Sequence, residues 1–217
     1  RGGSHGWLLQ PFTPLLVGAS GRGELKNLRR VEAAGPRLMI AQGAVFTGFY
    51  LNELVTRLLP RFDPHRELFA CYGRTLELLA EGLGAETALR EFELLLLAEL
   101  GYQVSFTHDS EGDLLEPETQ YGFDPIRGFY PAQRTHPAHK SPMSGSWIGY
   151  SGHDLLRLAE WLRYDAELEQ DLLRPLKLIL RTALAVQLGD RPLQSRELMR
   201  AFIGGQRLPK HPEVKEV

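Results

Sequence analysis

The chain has 217 residues, with 25 Lys and Arg against 27 Asp and Glu, 43% apolar residues and a single cysteine. This composition fits one or two ordinary soluble domains. Because Cys71 stands alone, the sequence has neither a disulfide framework nor the cysteine pairs of a usual structural zinc site. It also has no charge-free apolar run of roughly 18 residues and no apolar core of a signal peptide. We therefore expect a reduced, cytoplasmic protein with no membrane segment.

The charge is distributed unevenly along the chain. Residues 1–37 carry a net charge of +4, residues 38–126 carry −10 and residues 127–217 carry +4. A basic start and end around an acidic middle indicate two kinds of partner surface, although a run of charge is more often an ordinary solvated face.

The N-terminal part has the pattern of a β-hairpin. Residues 8–17 indicate a strand interrupted by two prolines, the Gly-rich residues 18–24 indicate a turn, and residues 25–33 alternate loosely enough for a second strand. A lone hairpin is marginally stable in water. Either it packs on the helices that follow, or the chain begins part-way through a β-domain.

Helical periodicity begins at Gln42. The apolar pattern predicts three helices, from about Gln42 to before Pro60, from Arg66 to Leu83, and from Thr87 to Leu100. The third contains four consecutive leucines at 94–97, which predicts a central helix covered on all sides.

Residues 102–150 interrupt the helical pattern. Alternation at residues 102–106 and paired aromatic residues beside Gly122 and Gly128 predict a small β-hairpin region, and residues 131–149 predict a loop. The pattern then predicts three more helices. The first begins after a cap at Ser151, the second has Pro175 in its first turn and ends at Leu188, and the third begins at Ser195.

The sequence offers little for catalysis. The run at residues 18–23 lacks the spacing of a nucleophile elbow and of a nucleotide-binding loop, and Glu91 and Glu93 point in different directions on a helix. His136 and His139 are a weak candidate metal pair. We predict no catalytic residues, no metal and no cofactor; a hydrolase using Ser20 and the histidine loop is a remote alternative.

Four cations cluster on the predicted hairpin: Arg22, Lys26, Arg29 and Arg30. Nucleic-acid binding without sequence preference needs Lys and Arg side chains that reach phosphates, helped by aromatic rings on which bases stack. On this evidence a DNA contact and an ordinary solvated hairpin are equally good interpretations.

Several segments resemble, in collinear order, the RecO family of bacterial DNA repair proteins. They are Leu9–Leu16, Gly21–Lys26, Tyr50–Leu54, Glu67–Phe69, Ala88–Glu93, Leu100–Tyr102, Phe106–His108 and Pro192–Leu198. The resemblance implies an α+β, mainly α, fold. Residues 1–37 would be the C-terminal part of an OB-fold domain whose remainder is missing from the sequence, and residues 38–217 a helical domain with a β insertion at about 102–150.

The resemblance also implies a function. Family members are non-enzymatic recombination mediators that bind single- and double-stranded DNA and anneal strands. They dock the acidic, hydrophobic C-terminal tail of single-stranded-DNA-binding protein, and work with RecR to load RecA at the bacterial nucleoid. The alternative function is that of a helical adaptor that binds only protein. Many members carry four cysteines where this chain has residues 103–135 without any, which again predicts no zinc.

The resemblance also implies roles for individual residues of this chain. Arg22 and Lys26 match the family's basic hairpin and are expected DNA contacts, whereas Arg29 and Arg30 are added by charge alone. Arg90 matches a helical arginine near the family's tail-binding pocket. The alternative is that Arg90 only pairs with a glutamate of its own helix, Glu86 or Glu93.

Overall fold

A computed structural model describes residues 8–132, 149–164 and 167–205. Within these residues the fold is mixed α/β and mainly helical, with two small antiparallel sheets. In chain order the elements are β1 (Leu15–Ser20), β2 (Asn27–Ala33), α1 (Val45–Leu58), α2 (Arg66–Glu81), α3 (Ala85–Glu99), β3 (Gln120–Asp124), β4 (Gly128–Pro131), β5 (Tyr150–Ser151), α4 (Gly152–Tyr164), α5 (Gln170–Leu188) and α6 (Gln194–Ile203).

The predicted hairpin is confirmed, but its first strand is displaced along the chain. β1 begins at Leu15, after both prolines, because proline cannot donate a ladder hydrogen bond. β1 and β2 pair antiparallel, with an irregularity where Gly18 faces Arg30 and Ala19 faces Leu28. Arg29 is therefore the extra residue of a β-bulge.

The helices form one apolar core. α2 packs on α3, α3 on α5, and α1 on α6. Phe92, Leu96 and Leu97 of α3 are fully buried, so the prediction of a central helix is confirmed for these residues. α2 ends at Gly82, whose φ of 72° is the left-handed conformation that favours glycine after a helix. Cys71 is a buried core residue, as its pattern predicted.

The β insertion forms a three-stranded sheet in the order β4–β3–β5. The paired aromatic residues lie in β3 and β4 as predicted, whereas residues 102–106 form no strand. Gly152 closes this unit onto α4, since a Cβ there would lie 2.0 Å from the Glu116 carbonyl oxygen. Only glycine permits this approach of two backbones.

One helix start differs from the predictions. α5 begins at Gln170, so Pro175 lies inside the helix instead of in its first turn. One missing backbone N–H is tolerated because the helix packs on the core through buried residues such as Leu172 and Leu176. At the start of α4, the N–H groups of Gly152 and His153 donate to carbonyl oxygens of residues 119 and 117.

None of the helices within the described ranges is long and apolar enough to cross a membrane. The predicted loop at 131–149 falls largely outside those ranges, as do His136, His139 and the chain after residue 205.

Candidate functional site

A surface pocket of about 380 Å³ lies where four helices meet. α1, α3, α5 and α6 each contribute to its walls. Apolar groups come from Phe46, Leu89 and Met199, and Phe46 is held by the ring of Phe202, whose centroid lies 5.2 Å away. The pocket can therefore accept an apolar side chain next to charged groups.

A buried ion pair supports one wall of the pocket. The Arg90 Nη1 atom donates a hydrogen bond to Glu93 Oε2 at 2.6 Å, and the Tyr50 hydroxyl donates to Glu93 Oε1 at 2.6 Å. The side chains of Arg90 and Glu93 are only 6% and 3% exposed. Arg90 thus lines the pocket, and it also makes the same-helix pairing with Glu93 that the alternative interpretation predicted.

Burial controls the protonation of this network. It raises the pKa of the Glu93 carboxyl, although the charge of Arg90 and the hydrogen bond from Tyr50 act in the opposite direction. Burial likewise raises the pKa of the Tyr50 hydroxyl, and the neighbouring Glu93 charge raises it further. Tyr50 therefore remains a hydrogen-bond donor, and the charge of Arg90 opposes the effect of burial on Glu93.

The remaining cations of the pocket lie on α5 and α6. Lys177 and Arg181 are one turn apart on α5, and Arg196 and Arg200 are one turn apart on α6. Lys177 donates to Glu86 at 3.2 Å, and the Arg196 guanidinium lies 5.6 Å from the centroid of the Tyr50 ring.

The exposed Arg181 and Arg200 form no ion pair with another residue in the described parts of the chain. The positive charge that an incoming anion would meet therefore comes mainly from these two helices.

Glu53 of α1 fixes the position of α6. Its carboxylate accepts hydrogen bonds from the backbone N–H groups of Gln194 and Ser195 and from the Ser195 hydroxyl, at 2.7–2.9 Å. Burial disfavours its charged form, but these donors and Arg57 lower the pKa of Glu53 overall. A carboxylate at a helix N-terminus caps it and complements its dipole. This contact aligns the arginines of α6 with the pocket.

A larger cavity of about 630 Å³ lies between α1 and α2. It is lined mainly by apolar groups, including Val55, Leu59, Leu68 and Phe69, and it lacks the cluster of cations seen around Arg90. Charge complementarity to an acidic ligand therefore favours the smaller pocket.

The four cations predicted on the hairpin are all exposed, but they differ in their contacts. Arg22 lies in the turn between β1 and β2. Lys26 donates to the Gly21 carbonyl oxygen at 2.9 Å, and Arg29 Nε donates to the Ser20 hydroxyl at 2.7 Å.

Arg30 pairs with Glu32 through two hydrogen bonds of 2.7 Å, which compensate its charge locally. The hydroxyl of Ser20, the nucleophile of the remote hydrolase alternative, is a hydrogen-bond acceptor for Arg29.

The sequence interpretation named Arg90, which lies in the wall of this pocket, but it did not name Lys177, Arg181, Arg196 and Arg200. A signal for them was present, because two cations four residues apart lie on one helix face, and this spacing occurs in both α5 and α6. Nothing in the sequence, however, places those two faces beside α3.

Comparison with known proteins identifies the family. The family model described as "Recombination protein O C terminal" matches residues 44–197. A protein named DNA repair protein RecO from Pseudomonas aeruginosa (strain LESB58) is 42% identical over 199 residues, which cover 90% of this chain and 78% of the relative.

Relatives of the same name give similar matches. The protein of Methylococcus capsulatus is 42% identical over 204 residues, covering 93% of this chain and 78% of the relative. The protein of Alkalilimnicola ehrlichii is 41% identical over 204 residues, covering 92% of this chain and 77% of the relative. Because the family model spans well over half of the chain and the relatives align along about nine-tenths of it, the chain belongs to the RecO family.

Proposed function

We propose that the chain is a DNA repair and recombination mediator that docks a protein tail and binds DNA through separate surfaces. The names of its relatives and the family match support the role in repair. The observation that carries the docking half of the proposal is the pocket itself, in which cations from α5 and α6 lie beside apolar side chains.

The docked ligand is the acidic, hydrophobic C-terminal tail of single-stranded-DNA-binding protein. A guanidinium binds a terminal carboxylate through paired, charge-assisted hydrogen bonds, and an adjoining apolar pocket accepts a hydrophobic side chain. Arg181, Arg196 and Arg200 make the electrostatic contacts. Arg90 is a positioning residue, since its charge is already paired with Glu93 inside the wall of the pocket.

Tail docking is tested by fluorescence anisotropy of a labelled peptide copied from that tail. Arg200→Ala should weaken saturable binding about tenfold, as expected for the loss of a hydrogen bond to a charged group. Arg127→Ala is the matched control, because Arg127 is an exposed arginine in the turn between β3 and β4. Absence of saturable binding by the unmutated chain would contradict the proposal.

The DNA surface is the hairpin. We assign residues 1–37 to the C-terminal part of an OB-type domain and residues 38–217 to the helical domain. Arg22, Lys26 and Arg29 contact phosphates of single- or double-stranded DNA, and Arg30 contributes least because Glu32 compensates its charge. These contacts carry no sequence information and would reduce the repulsion between two strands during annealing.

The salt dependence of DNA binding tests this assignment. Each phosphate contact to a single strand adds about 0.7 to the slope of log K against log salt. Replacing Arg22 and Lys26 with Ala should reduce the slope by about that amount for each contact, whereas Arg30→Ala, the paired control, should change it less. An unchanged slope in the double variant would favour the alternative of a protein-only adaptor.

Together the two surfaces explain how a mediator reaches coated single strands. Docking of the tail raises the local concentration of the hairpin beside DNA without new base-specific contacts. In this proposal the chain works in the bacterial cytoplasm, at the nucleoid, with RecR and, indirectly, RecA. It does so by reversible binding and not by catalysis.

A further inference from the structure

Phe62 is an exposed aromatic residue held in a strained backbone conformation. It lies between α1 and α2, 66% of its surface is exposed to solvent, and its φ is 68°. A left-handed backbone costs a residue with a Cβ roughly 1–2 kcal/mol. Such an outlier persists only where the surroundings impose it, and this kind of strain concentrates at functional sites.

The other non-glycine residue with positive φ among the described residues, Phe12, shows what is unusual about Phe62. Phe12 has a φ of 63°, but its ring packs on Phe49 with centroids 5.4 Å apart and lies so close to Gly48 that a Cβ there would be 2.7 Å from it. Core packing offsets the strain at Phe12. Phe62 has no comparable burial to offset its strain.

The ring of Phe62 is instead held beside the turn of the basic hairpin. The Lys26 ammonium lies 4.8 Å from the ring centroid, and its Nζ also donates to the Gly21 carbonyl oxygen. The neighbouring Arg61 lies 3.7 Å from Glu24 of the same turn, but both side chains are largely exposed, so this pair is weak. The hairpin turn and the α1–α2 loop therefore form one surface that combines an aromatic ring with cations.

This combination is the one that binds unpaired nucleotides. Single-stranded nucleic acid is bound by cations that follow the backbone and by aromatic rings on which bases stack, and each stacked base contributes about 1–3 kcal/mol. A ring can hold a lysine over one face by a cation–π contact and leave its other face to a base. The phosphate next to that base then lies near the lysine.

We propose that Phe62 is a stacking platform for one unpaired base of single-stranded DNA, whose neighbouring phosphates contact Lys26 and Arg61. The proposal rests on the proposed DNA contact of the hairpin and deepens it, because it assigns a preference for single strands to a residue outside the hairpin. A paired base is already stacked within the duplex, so the platform adds nothing to duplex binding.

The test compares three DNA ligands of equal length: a labelled single strand, the same strand with abasic sites in place of its bases, and the duplex. Phe62→Ala should weaken binding of the single strand about 5- to 150-fold and leave binding of the abasic strand and the duplex unchanged. Phe62→Trp should retain the affinity for the single strand, because its ring stacks at least as well.

Tyr164→Ala is the matched control. Tyr164 is equally exposed, at 66%, and has the Arg163 guanidinium 5.3 Å from its ring centroid, but it ends α4. Its loss should not change binding of any of the three ligands.

Three results would overturn the inference, and they have different meanings. Equal binding of the single strand by the unmutated chain and by Phe62→Ala would exclude stacking while leaving the phosphate contacts intact. An equal loss for the normal and abasic strands would mean that the ring only positions Lys26. No binding of any DNA by the unmutated chain would refute the DNA half of the proposed function, and the platform with it.

Discussion

Replacing Arg90 with Met tests whether the wall of the pocket depends on a compensated buried charge. The change retains an unbranched apolar stem but leaves the Glu93 carboxyl, which is 3% exposed, without the guanidinium 2.6 Å away. Breaking a buried ion pair by removing one partner costs about 3–5 kcal/mol. In a protein of this size such a loss lowers the melting temperature by roughly 6 °C or more.

The pH dependence of this loss has a definite sign. Without Arg90, the pKa of Glu93, already raised by burial, rises further. An acid whose pKa is higher in the folded state than in the unfolded state gains stability as the pH falls through its folded pKa. The deficit of Arg90→Met should therefore be smaller in mildly acidic than in alkaline buffer.

Urea unfolding of the unmutated chain, Arg90→Met, Glu93→Gln and the double variant provides the assay. The double variant should be more stable than the sum of the two single effects predicts, by about 2 kcal/mol, because neither charge is then left alone. A loss below about 1 kcal/mol in Arg90→Met, or strictly additive effects, would show that the pair is not a compensated buried charge. An exposed ion pair on the surface would give such a small or additive effect.

Further predictions concern the supports of the fold. Glu53→Gln should destabilise the chain by about 1 kcal/mol or more, because it weakens the cap of α6. The folded pKa of Glu53 is lowered, so its contribution is present above the unfolded pKa of about 4.3 and is lost as the pH falls through the folded value. The difference in unfolding free energy between the unmutated chain and Glu53→Gln should thus shrink in acid, and a constant difference would contradict this. Gly152→Ala should cost about 1–3 kcal/mol, since its Cβ would collide with the Glu116 carbonyl oxygen. In contrast, Gly73 lies inside α2 with open space around it. Gly73→Ala should therefore stabilise the folded chain by about 0.5–1 kcal/mol, and thermal unfolding of both glycine variants measures these changes.

The helices were the most predictable part of the fold, because their signals are local. Apolar residues at helical spacing located α1, α2 and α3 within about three residues of their observed ends, and a glycine with positive φ ended α2. The predicted start of α5 was wrong because proline is preferred in the first turn of a helix but is not confined to it. Packing on the core decided that Pro175 lies deeper in the helix.

The candidate site was less predictable, because it depends on contacts between distant segments. The sequence suggested that α3 is covered by apolar groups on all sides, but Arg90 and Glu93 are buried there as a pair whose second support, Tyr50, comes from α1. Arg200 reaches the pocket through the packing of α6 on α1, to which the Glu53 cap contributes. The proposed role of Phe62 carried no signal in the sequence, since it rests on a backbone angle and on a lysine more than thirty residues earlier.

In the proposed function, the pocket beside Arg90 recognises the free carboxylate of a protein tail. The most direct test compares two labelled peptides from the tail of single-stranded-DNA-binding protein, one ending in a free acid and one in an amide. The unmutated chain should bind the amide about tenfold more weakly, and Arg200→Ala should reduce that difference. Equal affinity of the unmutated chain for the two peptides would show that the pocket does not recognise the terminal carboxylate.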